Sequence, residues 1–273
     1  MLNIPRIIAG FVFSIVIGGL AYRRRSLTRG GWLGAIISGT LTFGFGGWTW
    51  GLTLIVFFVT SSALSHFRQA QKQRLAGEKF EKGGRRDLFQ TLANGGAAAL
   101  LALLYGLGGA PPALLALFVG VMATVTADTW ATELGVLSPR RPRLVTTWRP
   151  VEPGASGAIT GHGTLAAAAG ALVIGLAAAI VAAAEHGAWL PWVLPAALLG
   201  GLAGSMADSL LGATAQAIYR TPGGSTTERR AGRDGTPYPL LRGRRWMNND
   251  MVNFLSSLAG GLIALGIFRL IAG

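Results

Sequence analysis

The sequence contains no cysteine and is poor in charged residues. Of its 273 residues, 13% are charged and 51% are hydrophobic. Without cysteine, neither a disulfide framework nor a thiolate metal site is possible. A water-soluble domain of this length needs much more polar surface, so the composition is typical of a protein that crosses a membrane several times. The sequence therefore predicts an all-α, polytopic bundle of transmembrane helices.

Acidic residues are scarcer than basic ones, and the basic residues are grouped. The chain has 11 Asp and Glu against 24 Lys and Arg, which gives a net charge of +13. With two exceptions, the basic residues fall into four segments between apolar runs: 23–29, 68–86, 140–149 and 220–245. Basic segments between spans mark the cytoplasmic face of a membrane protein. This grouping argues against a nucleic-acid partner and favours contact with membrane lipids.

Eight apolar segments are candidates for membrane spans: 5–22, 31–47, 48–65, 88–108, 111–130, 157–184, 188–215 and 250–272. The second and third are rich in glycine and have only about 17 residues each, the lower limit for a transmembrane helix. If they are separate and the N-terminus lies outside, all four basic segments share one side of the membrane. If they form one span, the basic segments are split between the two sides. The charge pattern therefore favours separate spans, and we predict seven to eight crossings.

The predicted domain organisation is a single membrane domain over residues 1–273. Its cytoplasmic loops are expected near 66–87, 135–156 and 216–249. Three arginines follow the first span, which reverses the charge order of a cleavable signal peptide, so we expect this span to be retained. The predicted location is the cell (inner) membrane, as a multi-pass protein. The sequence leaves the oligomeric state open.

Three carboxylates fall near the ends of predicted spans: Asp128, Glu133 and Asp208. An ionised carboxylate in hydrocarbon costs at least about 2.5 to 3.5 kcal/mol, so such residues usually have a partner or a function. Asp128 and Asp208 each follow an alanine and precede a hydroxyl residue, and paired motifs often mark a site between two halves of a membrane protein. We predict that all three acids are catalytic. Salt bridges or helix capping are the alternative.

Mg²⁺ is the predicted partner of the three acids, because it takes hard oxygen ligands and is commonly held by one or two carboxylates together with substrate phosphates. Asp128 and Glu133 are five residues apart, which is about 140° around an ideal helix. They can meet at one ion only if the helix breaks or distorts near Gly135; otherwise they hold different groups. Three hydroxyl residues could add ligands or hydrogen bonds, with bonding to a helical carbonyl as the alternative: Thr129, Thr132 and Ser209.

Two clusters of amide side chains stand at other span ends, each after a pair of arginines. Gln90 and Asn94 are four residues apart and therefore on one helix face, as are Asn249 and Asn253. Amides in this environment need partners, so they either join helices to each other or bind a shared anionic ligand. We predict that they bind substrate or nucleotide together with three charged neighbours of the second cluster: Arg244, Arg245 and Asp250.

The segment 138–164 combines prolines, which exclude a continuous helix, with flexible glycine-containing stretches just before a span. Exposed N–H groups at a helix start, with arginines nearby, suit phosphate oxygens. The sequence has no Walker signature that would identify the ligand more closely. We predict seven phosphate- or substrate-binding residues in this segment: Arg143, Thr146, Thr147, Arg149, Gly154, Ser156 and Gly157.

Five stretches of the chain together resemble the successive signatures of one known family: "QTLANGG", "ADTWATELGVLS", "PRLVTTWRPVEPGASGAITGHGT", "ADSLLGATAQ" and "NNDMVNFLSSLAGG". This is the integral-membrane family that contains plant chloroplast phytyl-phosphate kinase and many uncharacterised transmembrane proteins. The resemblance covers roughly residues 30–270 in the same order. It is therefore much more specific than any single motif.

The resemblance implies a kinase that acts on a lipid phosphate, and the Mg²⁺ predicted from the acids would then act in phosphate transfer. Such an enzyme would transfer the terminal phosphate of a nucleoside triphosphate, with CTP favoured, to an isoprenyl monophosphate of the phytyl or geranylgeranyl type. The product would be a prenyl diphosphate, formed at the cytoplasmic face of the membrane. Two alternatives stay open: a CTP-dependent lipid cytidylyltransferase, and an ion or metabolite transporter whose paired motifs lie near the middle of the membrane.

Overall fold

The computed structural model describes residues 3–77, 79, 84–232 and 234–273. Small parts of the predicted loops 66–87 and 216–249, and the first two residues of the predicted domain, lie outside the described residues.

Within the described residues the chain forms nine helices. These are α1 (Ile4–Arg23), α2 (Arg29–Gly46), α3 (Trp48–His66), α4 (Gln69–Ala76), α5 (Leu88–Leu107), α6 (Pro112–Gly135), α7 (Gly161–His186), α8 (Val193–Thr214) and α9 (Asn249–Ala272). All except α4 have 18 residues or more. These eight long helices correspond one to one to the eight predicted spans.

Seven of the eight long helices are long and apolar enough to cross a membrane, and α2 is the exception. Six glycines and Arg29 lower the hydropathy of α2. The mostly helical fold with seven to eight spans is therefore confirmed. The two glycine-rich segments are separate helices, as predicted, because the chain turns at Gly47. Its φ of +93° is a conformation that favours glycine.

The four basic segments all lie at one end of the bundle, where contacts tie them together. Leu27 pairs with Arg86 in an isolated bridge, which joins the first segment to the second. Lys79, in the second segment, forms an ion pair with Glu152, which lies in the connection between α6 and α7 that also contains the third segment. The carbonyl oxygen of Lys79 also accepts a hydrogen bond from the backbone N–H of Glu228, which lies in the fourth segment. The arrangement is the one that the charge pattern predicts, and the charge rule assigns this end to the cytoplasmic face.

Short strands in the long connections are the part of the fold that the helical prediction did not include. β1 (Arg143–Leu144) pairs antiparallel with β2 (Ala158–Ile159). A second sheet has the order β4-β3-β5, with β3 (Ile218–Arg220), β4 (Thr226–Thr227) and β5 (Leu240–Arg242).

The predicted start of the sixth span, at residue 157, is wrong. Gly157 has a φ of +81°, which no right-handed helix allows, and residues 158–159 form β2. The helix α7 begins at Gly161 instead, because the side chain of Thr160 accepts a hydrogen bond from the Gly163 N–H and so caps the helix.

Helix α6 is the centre of the bundle, and small residues let α8 and α9 approach it closely. Every residue of α6 from Leu115 to Ala127 is buried except Leu117. At the crossing of the three helices, the Thr124 hydroxyl lies 2.8 Å from the Gly120 carbonyl oxygen and 3.2 Å from that of Gly200. Close approach at small residues is the usual packing solution in membranes, where burial from water does not drive association.

The crossing at Thr124 predicts that Gly260 tolerates no side chain. A Cβ at Gly260 would lie 1.9 Å from Thr124 Oγ1 and 2.6 Å from the Gly200 carbonyl oxygen, so the helices must move apart. We expect Gly260→Ala to destabilise the protein by about 1 to 3 kcal/mol, as overpacking does. Gly266→Ala, on the same helix, is the matched control, because a Cβ at Gly266 would meet nothing within 4 Å. The measurement is thermal unfolding in detergent; equal melting temperatures for the two variants would contradict this packing.

Candidate functional site

A polar cavity of about 540 Å³ opens at the end of the bundle where the basic segments meet. The C-terminal ends of α3, α6 and α8 and the N-terminal ends of α5, α7 and α9 contribute to its wall, together with α4 and the connections around residues 153–160 and 216–228. We call it the polar cavity. Three capped helix N-termini at its rim favour an anionic ligand, because backbone N–H groups there carry partial positive charge.

The structure brings thirteen of the predicted site residues together around the polar cavity. They come from four helices and one connection: Gln90, Asn94, Asp128, Thr129, Thr132, Glu133, Gly154, Ser156, Gly157, Asp208, Ser209, Asn249 and Asn253.

Seven predicted site residues do not line the polar cavity. Six of them are exposed on the outer surface of the same end of the bundle: Arg143, Thr146, Thr147, Arg149, Arg244 and Arg245. The seventh, Asp250, is buried in the first turn of α9. The side chain of Arg143 donates to the Trp148 carbonyl oxygen at 2.8 Å, and this bond stabilises the turn over residues 143–148. A role for these seven residues in binding stays a prediction.

The carboxylates of Asp128 and Asp208 lie close enough to interact electrostatically. Glu228, in the connection between α8 and α9, interacts with Asp128 in the same way. Asp208 accepts a hydrogen bond of 3.0 Å from the Ser256 hydroxyl of α9. Three acids from three parts of the chain are thus gathered at one wall of the cavity.

The amides of α5 and α9 complete this wall. The side-chain amide of Asn253 lies 3.3 Å from that of Asn94 and, in the orientation that satisfies both its oxygen and its nitrogen, donates to Asp208 Oδ2 at 3.1 Å. The amide side chains predicted on α5 and α9 therefore contact each other, and Asn253 also contacts Asp208, a predicted catalytic residue. Asn94 and Asn253 thus join two helices, as one interpretation predicts, and because they also line the cavity their role in ligand binding stays a prediction.

Glu133 binds different groups from Asp128, because α6 runs without a break through both residues. Its carboxylate forms an ion pair with Lys72 of α4 and accepts a hydrogen bond of 2.6 Å from Ser65. Lys72 Nζ also donates to the carbonyl oxygens of Leu64 (2.7 Å) and Ser65 (3.1 Å), at the end of α3. Lys72 therefore connects α4, which lines the cavity, to both α3 and α6.

Arg86 projects into the cavity from the residue pair that precedes α5. Its backbone is fixed, since its N–H donates to the Ser26 carbonyl oxygen and its own carbonyl accepts from the Thr28 N–H. Its guanidinium donates to the Ser62 hydroxyl at 2.9 Å. Burial lowers the pKa of Arg86, and the Glu133 carboxylate acts in the opposite direction. An arginine remains charged under these conditions, so the group is a fixed cation in a largely desolvated place.

Among the lining residues that sequence reasoning missed are three charged side chains and an amide that bonds one of them: Lys72, Arg86, Glu228 and Gln216. All four lie in or next to segments that the sequence already marks as basic loops. Which of several neighbouring charges turns inward is decided by tertiary contacts, such as the bond from Gln216 Nε2 to Glu228 Oε1 of 2.9 Å.

The connection around Ser156 and Gly157 reaches the cavity because it packs on the end of α8. The Ser156 hydroxyl bonds the Gly212 carbonyl oxygen at 3.1 Å and the Gln216 side chain. The Arg242 guanidinium donates to the carbonyl oxygens of Gly212 and Ala213, so a cation satisfies the C-terminal end of α8.

The donor set of the polar cavity fits Mg²⁺ bound together with phosphates. In the part of the chain that the structure describes, no three His, Asp or Glu side chains come close enough to hold a metal ion unaided. Mg²⁺ rarely uses an all-protein cage and is usually held by one or two carboxylates, waters and substrate phosphates. Asp128 and Asp208 supply the carboxylates for such an arrangement. The presence of Mg²⁺ stays a prediction.

Comparison with known proteins gives consistent matches over nearly the whole chain. Residues 12–261 match the family described as integral membrane protein DUF92. Protein PGR of Arabidopsis thaliana is 34% identical over 93% of both chains, and an uncharacterised membrane protein of Methanocaldococcus jannaschii is 29% identical over 98% of this chain and 97% of its own. The chloroplastic protein VTE6 of Arabidopsis thaliana is 27% identical over 88% of this chain and 64% of its own. No solved structure matches.

The packing of the 153–158 connection predicts that Gly157 is needed to close this side of the cavity. A Cβ at Gly157 would lie 2.5 Å from the Ala213 backbone nitrogen, and its φ of +81° costs an L-residue about 1 kcal/mol or more. We expect Gly157→Ala to loosen the connection, so that trypsin cleaves after the exposed Arg140 and Arg143 several-fold faster. Gly161→Ala is the control, because its Cβ would meet nothing within 4 Å. Unchanged cleavage of Gly157→Ala in detergent would show that the connection does not depend on this contact.

Proposed function

Since the chain belongs to the family of integral membrane proteins described as DUF92, we propose that it is a prenyl-phosphate kinase. The family includes plant phytyl-phosphate kinase, and the similarity to VTE6 supports a role of this kind. The observation that carries the proposal is the pair Asp128 and Asp208, which face one polar cavity at the basic end of a membrane bundle. A soluble nucleotide and a membrane-embedded lipid phosphate can both reach such a place.

The proposed reaction is transfer of the γ-phosphoryl group of a nucleoside triphosphate to a prenyl monophosphate. An oxygen of the monophosphate forms a bond to the γ-phosphorus, while the bond from that phosphorus to the β,γ-bridging oxygen breaks and its electron pair leaves with the nucleoside diphosphate. Such transfers depend mainly on positioning and charge neutralisation by the protein. The acceptor oxygen belongs to a phosphate that is already ionised near neutral pH, so no strong general base is required.

The residues around the polar cavity divide into anionic and cationic groups with separate tasks. Asp128 and Asp208 would hold Mg²⁺, which when bound neutralises charge on the nucleotide phosphates. Arg86 and Lys72 supply the fixed positive charges that face the cavity. Ser256 and Asn253 orient the Asp208 carboxylate from the neighbouring helix.

CTP is the nucleotide that we propose, on the basis of the family resemblance. The competing enzyme class is a CTP-dependent lipid cytidylyltransferase, in which the lipid phosphate attacks the α-phosphorus and pyrophosphate leaves. A transporter is the other alternative. The acids lie beside the basic segments at one end of the bundle, where a nucleotide would arrive, and this favours an enzyme over a transport site at mid-membrane.

Replacement of either acid by its amide should abolish transfer. We expect Asp128→Asn and Asp208→Asn each to lower the rate of phosphate transfer by about 100-fold or more, because each removes a fixed charge that acts on the transferred group. The control is Asp234→Asn, the same chemical change at an exposed residue outside the cavity. The measurement is prenyl diphosphate formed by purified protein in detergent with CTP and Mg²⁺. Full activity in Asp128→Asn would refute the assigned role.

The position of the transferred label separates the enzyme classes. We expect label from [γ-³²P]CTP to appear in the lipid product, and label from [α-³²P]CTP to stay in the nucleotide. Transfer of the α label to lipid would establish a cytidylyltransferase instead. Parallel reactions with ATP, GTP and UTP, and with prenyl monophosphates of different length and saturation, define both substrates. Ion or metabolite flux into proteoliposomes, without any labelled lipid, would favour the transporter.

A further inference from the structure

A second concave region, the apolar groove, runs along the inner faces of α1, α2, α3 and α5. Its wall is made almost entirely of apolar or small side chains, such as Ile17, Ala35 and Leu54. Among the described residues that line the groove, Arg86 is the one charged residue. The groove therefore offers an environment for a hydrocarbon chain with an anionic group at one end.

The apolar groove and the polar cavity are adjacent. Arg86 and Asn94 belong to the walls of both. Arg86 and the N-terminal part of α5 lie at the end of the bundle where the polar cavity opens, so a molecule could extend from the cavity into the groove past these two side chains.

The length of the groove follows from the helices that line it. Gly18 and Gly10 line it on α1 and are eight residues apart. A rise of 1.5 Å per residue gives about 12 Å between them along the helix axis. The groove thus reaches from the level of Arg86 well into the apolar part of the bundle, and it is narrow, with a volume of about 80 Å³.

The side chain of Arg86 has binding capacity left for an anion. A guanidinium has five N–H donors. Its one side-chain hydrogen bond to a described residue goes to the Ser62 hydroxyl; it also lies over the face of the Phe58 ring at 5.9 Å and interacts electrostatically with Glu133. The planar donor array that remains matches the oxygens of a phosphate, and a partly desolvated cation gains most from such a partner.

We propose that the apolar groove holds the isoprenyl chain of the acceptor substrate and that Arg86 binds its monophosphate. The inference rests on the proposed kinase function and adds which part of the molecule binds the lipid. It places the acceptor phosphate between the groove and the acids at Asp128 and Asp208. Chains longer than the groove extend beyond its far end, near Gly10.

A bulky residue in the groove should discriminate between long and short acceptors. Ile17 lines the groove, whereas its neighbour Val16 is exposed on the outer face of the same helix. We expect Ile17→Trp to raise the KM for geranylgeranyl monophosphate at least tenfold, while dimethylallyl monophosphate, which lacks the long chain, reacts as with the unaltered protein. Val16→Trp should leave the KM values for both substrates unchanged. Equal KM values for geranylgeranyl monophosphate in the two variants would overturn the placement of the chain.

Photo-cross-linking tests the same placement without catalysis and without altering the fold. The probe is geranyl monophosphate with a diazirine at the end of its chain, applied to the unaltered protein in detergent. We expect the label on peptides of α1, α2 or α3 that contain groove residues such as Phe13 and Phe43, and we expect geranylgeranyl monophosphate to compete. Label on α7 or α8, or scattered over lipid-facing residues, would overturn the inference. Cross-linking in the groove by a protein that transfers no phosphate would refute only the kinase function.

The role of Arg86 has its own readout. We expect Arg86→Gln to raise the KM for the prenyl monophosphate at least tenfold and to leave the KM for CTP nearly unchanged, because Arg86 binds the acceptor. Arg86→Lys keeps the charge without the planar donor array and should restore part of the affinity. Equal increases in both KM values in Arg86→Gln would show that Arg86 does not bind the acceptor phosphate. If Arg86→Gln does not fold, an unchanged KM for the acceptor in Arg86→Lys would show the same.

Discussion

The free-energy cost of a carboxylate inside a membrane helix determines how this end of the molecule is built. Asp128 and Asp208 stand on helices that are otherwise apolar, and neither could remain there without polar neighbours. The protein supplies those neighbours from other helices, with Ser256 and Asn253 from α9 and Asn94 from α5. The acids thereby require a water-accessible cavity, and the cavity requires that the ends of six long helices converge at one level.

Close helix packing below the cavity makes that convergence possible. Around Thr124, glycines of α8 and α9 bring three backbones into contact, so the helix ends above this crossing are held at fixed positions. Lys72 and Arg242 act at the rim, where each binds carbonyl oxygens at a helix C-terminus. The positions of the functional side chains thus depend on apolar packing on one side and on capping cations on the other.

Sequence reasoning predicted the fold well and the candidate site in part, and the difference has a physical basis. Span positions and the common side of the basic segments follow from hydropathy and charge, which are local properties. The separate helices on either side of Gly47 were likewise predicted from the charge pattern. Thirteen predicted residues line one cavity because they stand at span ends that a bundle must bring to one level. The inward turn of Arg86 and Glu228, and the outward position of Arg244 and Arg245, depend on loop conformation, which carries no periodic signal.

The distribution of the cavity wall over the chain has a consequence for biogenesis. Its side chains extend from Ser65 on α3 to Asn253 on α9, and Ser256, which bonds Asp208, is further on again. A ribosome therefore delivers Asp128 to the bilayer long before α9 exists to complete its surroundings. Until the last helix inserts, both acids must stay hydrated near the headgroups or be shielded by the insertion machinery. Assembly of the final helix is thus the step at which a nascent chain first acquires a complete pocket.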